Sequence, residues 1–186
     1  MSACRRLLPI AVAAALAGCA AAPPRPTPQP MPMPSTANAS VIVAPASGSL
    51  VSGKLQLLPM GDGVHLRGEL GGLTRNARHA IHVHERGDCS AVDAASAGEH
   101  FNPTGKPHGR MRTGAHHLGD LDNLAANNDG VARVDMHVSG MALANGGIND
   151  IIGRAIVVHA QADDYSTQPS GNSGPRIACG VIVRTR

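Results

Sequence analysis

Aromatic residues are nearly absent from this chain, whose 186 residues include one Phe, one Tyr and no Trp. Any hydrophobic core must therefore be built from aliphatic side chains. The sequence also has no amphipathic run of convincing helical length, which argues against a helical fold. Its apolar run near the start, residues 7–17, is too short to cross a membrane as a helix.

An excess of charge of either sign is missing as well. The chain has 16 Lys and Arg against 13 Asp and Glu, and without Arg5 and Arg6 the count becomes 14 against 13, a net charge of +1. The charged residues are spread along the chain, so no basic stripe marks a surface for nucleic acid. We therefore expect no nucleic-acid partner.

The amino terminus is predicted to be a leader that ends at a lipid attachment site. Arg5 and Arg6 precede the apolar run, and small residues follow it, so residues 1–18 are predicted to be a signal peptide. The sequence Leu16-Ala17-Gly18-Cys19 is similar to the bacterial lipobox, which implies a lipid on Cys19 after cleavage. A plain secretory signal that is cleaved nearby is the alternative.

Residues 19–40 are predicted to be a proline-rich linker. Seven prolines nearly alternate between residues 23 and 34. Such a segment cannot pack a core, and it should extend as polyproline II and hold the next domain away from the membrane.

Residues 41–186 are predicted to form one all-β domain. Short alternating runs are separated by Gly, Asn and Asp, as in Asn127-Asn128-Asp129-Gly130, and the length suits one domain. The predicted strands cover residues 48–58, 63–70, 80–84, 130–138, 151–160 and 177–183.

One of these strands carries a His-X-His pair. Side chains alternate along a strand, so His82 and His84 project to the same face roughly 6.5 Å apart, where one ion can take both, while Val83 faces the core. His159, which ends a neighbouring apolar run, could supply a third nitrogen. A histidine that uses both ring nitrogens would complete the planar field that Cu(II) prefers, and the absence of Cys and Met from the set disfavours Cu(I). Two solvated or hydrogen-bonded strand histidines are the alternative.

The segment 87–120 is a long loop with no sustained periodicity, and such loops usually have a function. It carries His100, His108, His117 and Asp120. Because it has little apolar content, a coordinated ion would supply the energy that orders it. Three imidazoles and a carboxylate suit tetrahedral Zn²⁺. A disordered polar loop with incidental histidines is the alternative.

Five motifs occur in one order along the chain: His82-Val83-His84-Glu85, Ser96 to Pro103, His117 to Leu121, Ile152-Gly153-Arg154 with Val157-Val158-His159, and Gly174 to Gly180. Together they resemble the copper/zinc superoxide dismutases, most closely the bacterial periplasmic branch, over roughly residues 40–186. The resemblance implies an eight-stranded Greek-key β-barrel, or immunoglobulin-like sandwich, with a long metal-binding loop and an electrostatic loop. This family is itself a standard example of the sandwich architecture.

The resemblance also implies the metal ligands. It places copper on His82, His84, His100 and His159, and zinc on His100, His108, His117 and Asp120, with one ion of each metal per subunit and His100 as a bridging imidazolate. Asp163 matches a carboxylate that links the rings of two ligands, here His82 and His108.

The implied activity is the disproportionation of superoxide to O₂ and H₂O₂ by alternate reduction and reoxidation of copper, with zinc in a structural role. His100 would also supply a proton, and Arg176 would attract superoxide at the mouth of the copper channel. A non-enzymatic periplasmic copper- and zinc-binding lipoprotein is one alternative. A structural lipoprotein that keeps the barrel without redox activity is the other.

The four cysteines bear on the compartment. If Cys4 is removed with the leader and Cys19 is acylated, Cys89 and Cys179 are left to pair in an oxidising compartment, and the resemblance implies that they do. We therefore expect a periplasmic protein that is tethered to a membrane through Cys19. The family includes monomers and dimers, so a homodimer is compatible with the sequence.

Three histidines outside the motifs are predicted to lie at the surface: His65, His116 and His137. His79 receives no role. The segment 165–175 lacks Lys and Glu, although in many family members it is charged. We therefore hypothesise that zinc-loop residues Lys106, Arg110 and Arg112 contribute the field that steers superoxide, and that Ser170 takes the position of a channel-lining Thr.

Overall fold

The computed structural model describes residues 37–185, and the regular structure in this range is antiparallel β-sheet with one short 3-10 turn, Ala95–Ala97. The leader, Cys19 and most of the proline-rich linker lie outside the described residues. The strands are β1 (Ala39–Pro45), β2 (Ser52–Met60), β3 (Gly63–Gly71), β4 (Arg78–His79), β5 (Ile81–His84), β6 (Leu124–Ala125), β7 (Ala132–Ser139), β8 (Ala155–His159), β9 (Arg176–Val181) and β10 (Val183–Arg184).

Eight of these strands form one sheet in the order β5-β8-β9-β1-β2-β3-β7, with β10 paired to β1. The sheet therefore joins strands that are far apart in sequence, as a Greek-key connection requires. A second, two-stranded ladder pairs β4 with β6. Since β4 runs into β5 and β6 runs into β7, this small ladder connects the two ends of the long sheet.

The main aliphatic core lies inside the curled sheet. Side chains from both end strands contribute to it, including Val83 of β5 and Val138 of β7, and so do Leu55 and Leu66 of the central strands. Phe101 is the one aromatic residue in this cluster. The predictions of an all-β fold and an aliphatic core are thus confirmed.

Strands β5 and β8 are buried on both faces, and this arrangement places the candidate site. Ile81 and Val83 face the core, whereas His82 and His84 face the opposite side, under the long loop. In the register, His82 lies opposite Val157 of β8. The alternation of a β-strand thus separates the apolar core from the cluster of histidines by one layer of backbone.

Several strand boundaries differ from the prediction because turns occupy the predicted ends. Ser47 and Gly48 have positive φ angles of 52° and 73°, so the strand expected from residue 48 begins at Ser52. Gly153 has a φ of 76°, so the strand expected from residue 151 begins at Ala155. Strand β1 was not among the predicted strands. Its alternation of apolar and polar residues is obscured because the apolar Ile42 faces outward and is 72% exposed.

Among the described residues, none lies in a helix that is long and apolar enough to cross a membrane.

Replacing Leu66 with Ala should lower the free energy of unfolding by about 2–5 kcal/mol, because the side chain is fully buried in a central strand and the cavity would not collapse completely. Urea denaturation measures the effect. The matched control is Leu50→Ala, which removes the same atoms from a residue that is 82% exposed and should change stability by no more than about 0.5 kcal/mol. Equal effects of the two substitutions would contradict this account of the core.

Candidate metal centre

The backbone of β5 holds the long loop against the sheet. One edge of β5 pairs with β8, and the other edge bonds to the loop: the amide of Phe101 donates to the carbonyl of Val83 at 2.8 Å, and the amide of Val83 donates to the carbonyl of Gly119 at 2.9 Å. These bonds place His100 opposite His84 and Asp120 opposite His82. Two loop residues are thereby fixed beside two strand residues.

The first cluster of candidate ligands consists of His82, His84, His100 and His159, whose possible ligand atoms all lie within 4.8 Å of one another. In each ring one nitrogen is buried and has no hydrogen-bond partner within the described part of the chain: Nδ1 of His82 and Nε2 of His84, His100 and His159. The second nitrogen of the three strand histidines is occupied, by Asp163, by the carbonyl of Gly98 and by the carbonyl of Gly174. The unpartnered nitrogens thus face one common space.

The second cluster surrounds one carboxylate oxygen. Oδ1 of Asp120 lies 2.8 Å from Nδ1 of His100, 3.0 Å from Nδ1 of His108 and 3.2 Å from Nδ1 of His117. Its other oxygen, Oδ2, accepts hydrogen bonds from the amides of Gly109 and His117. The backbone therefore holds Asp120 so that Oδ1 faces the three rings.

Both clusters share His100. Its Nδ1 faces Asp120 in the second cluster, and its Nε2 is buried without a partner among residues 37–185, on the side of the first cluster. Both nitrogens of one ring are therefore available to two separate donor sets. This is the geometry that a bridging imidazolate requires.

Asp163 links the two clusters through a hydrogen bond to one ring in each. Its Oδ2 accepts a hydrogen bond from Nε2 of His82, and its Oδ1 accepts one from Nε2 of His108, both at 2.9 Å. Gly171 packs against this junction at a φ of 68°, where an added Cβ would lie 1.8 Å from Oδ1 of Asp163. Glycine is thus the residue that fits here, and the carboxylate fixes the orientation of one ring in each cluster.

Burial keeps the three strand histidines of the first cluster, His82, His84 and His159, uncharged. It lowers the pKa of His82 to about 4 and that of His159 to about 3, and it holds the pKa of His84 well below its usual range. A neutral imidazole is the form that binds metal. These three imidazoles are therefore in the form that can coordinate an ion across the physiological pH range.

In the second cluster, burial likewise lowers the pKa of His117, but His108 differs. Burial alone would lower the pKa of His108, but the hydrogen bonds and charges of Asp120 and Asp163 outweigh it and raise that pKa to about 9. Burial would raise the pKa of each carboxyl, yet hydrogen bonds from the histidines hold both well below the usual range. Without a metal, the carboxylates are ionised and His108 carries a proton.

Arg176 lies beside the first cluster. Its guanidinium donates to the carbonyl of Ala94 at 2.8 Å and to the carbonyl of Gly98 at 2.7 Å. Nδ1 of His84 is bonded to the same Gly98 carbonyl. One peptide group thus holds both the arginine and a ligand candidate, and the positive charge is fixed at the rim of the site.

A disulfide joins Cys89 at the start of the loop to Cys179 on β9, with the Cα atoms 5.7 Å apart. The pairing implied by the resemblance is confirmed. The bridge belongs to a second apolar cluster that includes Ala94, Ala97 and Val157. The segment whose carbonyls hold Arg176 is therefore anchored to the sheet by both a covalent bond and apolar packing.

The proposed steering arginines have partners in the structure. The guanidinium of Arg110 lies over the ring of Tyr165, 5.0 Å from the centroid, and its Nε lies 3.4 Å from Oδ1 of Asp122. Arg112 donates to the carbonyl of His137 at 2.7 Å. These contacts hold the long loop, residues 87–120, against neighbouring parts of the protein. The steering role of Lys106, Arg110 and Arg112 stays a prediction.

The histidines outside the motifs lie outside both clusters. His65 and His137 are half-buried on the outer face of the sheet, where Nε2 of each lies within 3.0 Å of a carboxylate oxygen, of Asp135 and of Asp62 respectively. His116 is also half-buried, and its Nδ1 bonds to the carbonyl of Gly114. Each of the two strand histidines therefore contacts one carboxylate on this face of the sheet as well as solvent.

Two residues near the site escaped the sequence analysis. His79 is buried, and its Nδ1 lies 3.0 Å from the carbonyl of His159, so it supports the backbone of a ligand candidate. Gln168 bonds to both the amide and the carbonyl of His108, at 2.8 and 2.9 Å. No sequence signal marks Gln168.

The donor sets fit the two metals. Four imidazole nitrogens without sulfur ligands suit Cu(II), and three imidazoles with one carboxylate suit Zn²⁺. In the first cluster, the four buried nitrogens that lack a protein partner within residues 37–185 are those that coordination would satisfy.

Comparison with known proteins gives the family. A model of the copper/zinc superoxide dismutase family matches residues 51–182, and the chain belongs to this family. It is 41% identical over 135 residues to superoxide dismutase (Cu-Zn) 2 of Aquifex aeolicus (strain VF5), which covers 71% of this chain and 79% of that protein. It is 40% identical over 125 residues to the superoxide dismutase-like protein YojM of Bacillus subtilis (strain 168), covering 66% of this chain and 64% of the relative.

A similar solved structure is that of a double mutant of a SOD-like protein from Bacillus subtilis. It superposes with a TM-score of 0.71 at 38% identity and covers 77% of this chain and 96% of the other. The substitutions in that mutant replace a tyrosine and a proline with histidines.

The zinc affinity of the metal-free protein should rise with pH between about 7 and about 9. His108 must lose a proton to coordinate an ion, so a proton competes with zinc below its pKa of about 9. Raising the pH through this range therefore favours the metal. Calorimetric titration of zinc in buffers of different ionisation enthalpy measures both the affinity and the proton release.

The matched control is copper titration over the same range. His82 and His159, with pKa values of about 4 and 3, have no proton to release there. Zinc affinity that does not change with pH, without proton release, would show that His108 is neutral in the metal-free protein.

Proposed function

We propose that the protein is a superoxide dismutase that holds one copper and one zinc ion per subunit. The observation that carries the proposal is the position of His100, whose two ring nitrogens face two buried donor sets. Copper would be held by His82, His84, His100 and His159, and zinc by His100, His108, His117 and Asp120.

The reaction converts two superoxide anions and two protons into O₂ and H₂O₂. When bound, copper would supply the redox chemistry, since it can take an electron from one superoxide and return it to a second. Zinc has no redox chemistry of its own and serves to orient its ligands.

The residues of the chain have separate tasks in this scheme. The guanidinium of Arg176 attracts the anion to the rim of the site and holds it by charge-assisted hydrogen bonds. His100 can hold a proton on Nε2 whenever that nitrogen is not coordinated, and it can pass the proton to the product. Asp163 keeps the rings of His82 and His108 in place, because it accepts a hydrogen bond from each.

Purified protein should contain copper and zinc in near-stoichiometric amounts and should consume superoxide in a pulse-radiolysis or competition assay. His159→Ala should lose turnover, because it removes one of the four proposed copper ligands.

Arg176→Ala should retain its metals but lower kcat/KM about tenfold or more, because the steering charge is lost.

His65→Ala is the control for the loss of an imidazole, since His65 lies outside both clusters. It should retain full activity. Stoichiometric metal without superoxide turnover would replace the enzyme with the alternative, a copper- and zinc-binding protein. Comparable activity of the wild type and His159→Ala would contradict the assigned copper site.

We also propose that the mature protein is a periplasmic lipoprotein, tethered through Cys19 by the proline-rich linker. The Leu-Ala-Gly-Cys sequence supports lipidation, and the Cys89–Cys179 disulfide is consistent with an oxidising compartment.

In cells, Cys19→Ser should move the protein from the membrane fraction to the soluble fraction, because the acylated thiol is lost. Immunoblotting of separated fractions measures the shift. Ser2→Ala, a substitution within the predicted leader, is the control and should leave the protein in the membrane fraction. If Cys19→Ser remains membrane-bound and is processed normally, the lipid anchor is wrong.

A further inference from the structure

Ser173 is a buried hydroxyl beside the candidate copper site. It lies in the segment between Asp163 and Arg176, and only 2% of it is exposed. Its Oγ donates a hydrogen bond to the carbonyl of Ser170 at 2.9 Å and lies 3.2 Å from Nδ1 of His159. It therefore connects the ring of a ligand candidate to the backbone of the adjacent loop.

The count of protons sets the direction of these bonds. A serine hydroxyl has one hydrogen, and here it is given to the carbonyl of Ser170. The oxygen must then accept from His159, so the proton of that ring lies on Nδ1. Nδ1 also lies 3.1 Å from the carbonyl of Gly174, so its N–H is shared between two acceptors. Nε2 is left with a free lone pair, buried and without a partner within residues 37–185.

We propose that Ser173 is a positioning residue that strengthens His159 as a ligand for oxidised copper. The inference rests on the proposed copper site. A hydrogen-bond acceptor on the remote N–H of a ligating imidazole makes the coordinating nitrogen more basic. The bond from Ser173 to the Ser170 carbonyl polarises the hydroxyl and makes its oxygen a better acceptor, since hydrogen bonds in a chain reinforce one another.

A more basic nitrogen stabilises Cu(II) more than Cu(I), because the higher charge gains more from a strong hard donor. The hydroxyl of Ser173 thus lowers the reduction potential of the bound metal. The carbonyl of Gly174 would remain as a partner for Nδ1 if the hydroxyl were removed, so removal should adjust the ligand without detaching it.

In the copper- and zinc-loaded protein, Ser173→Ala should lower the ratio of Cu(II) to Cu(I) affinity about three- to tenfold, the value of one hydrogen bond. The reduction potential should rise correspondingly by about 30 to 60 mV. Redox titration followed by the visible absorption band measures the potential, and the EPR spectrum of the oxidised protein should show a changed copper hyperfine coupling.

Two variants separate the hydroxyl from general effects on the loop. Ser173→Thr keeps the hydroxyl and should restore the potential of the wild type. Ser166→Ala removes an exposed hydroxyl from the same loop, one bonded to Asp164, and should leave the potential and the EPR spectrum unchanged. An unchanged potential and spectrum in Ser173→Ala would overturn the inference, as would equal shifts in the Ala and Thr variants at position 173.

The inference and the proposed function fail in different ways. Copper binding with the expected shift, but without superoxide turnover, would defeat the dismutase proposal and leave the role of Ser173 intact. Turnover with no shift would defeat the role of Ser173 alone. A wild-type protein that binds no copper would overturn both.

Discussion

The structure depends on buried imidazole nitrogens that have no protein partner within residues 37–185. Four rings each place one such nitrogen in the first cluster, namely Nδ1 of His82 and Nε2 of His84, His100 and His159. A buried polar group without a partner costs about 1–3 kcal/mol, so the metal-free centre opposes folding of the loop around it. Coordination of a metal would remove that cost, and the free energy of metal binding would then contribute to the free energy of folding.

The fold supplies the rigidity that such a centre needs. Strand β5 separates the aliphatic core from the ligands by a single backbone layer, so Val83 and His84 share one scaffold. The loop is fixed by three independent contacts: backbone pairing with β5, the disulfide from Cys89, and the hydrogen bond from His108 to the carboxylate of Asp163. Each acts on a different part of the loop, and Phe101, Met111 and Leu121 add apolar contacts with the core.

The sequence was sufficient for the parts that follow simple periodicity or match a family motif. Alternation located β3 and β5, and the aromatic content required an aliphatic core. The grouping of His100 with two donor sets came from the resemblance to the copper/zinc superoxide dismutases. Turn geometry moved the start of β8, because Gly153 adopts a positive φ. The hydrogen bonds of Gln168 with His108 join two loops that are 60 residues apart in sequence. No local sequence pattern predicts such a contact.

The scarcity of aromatic side chains has a practical consequence for optical work. Without Trp, and with Tyr165 as the one tyrosine, the protein absorbs weakly at 280 nm and has no indole emission. Tyr165 is placed against Arg110, and its hydroxyl accepts a hydrogen bond from the amide of Asn123. Its fluorescence therefore reports on the loops around the candidate metal centre and depends little on the barrel.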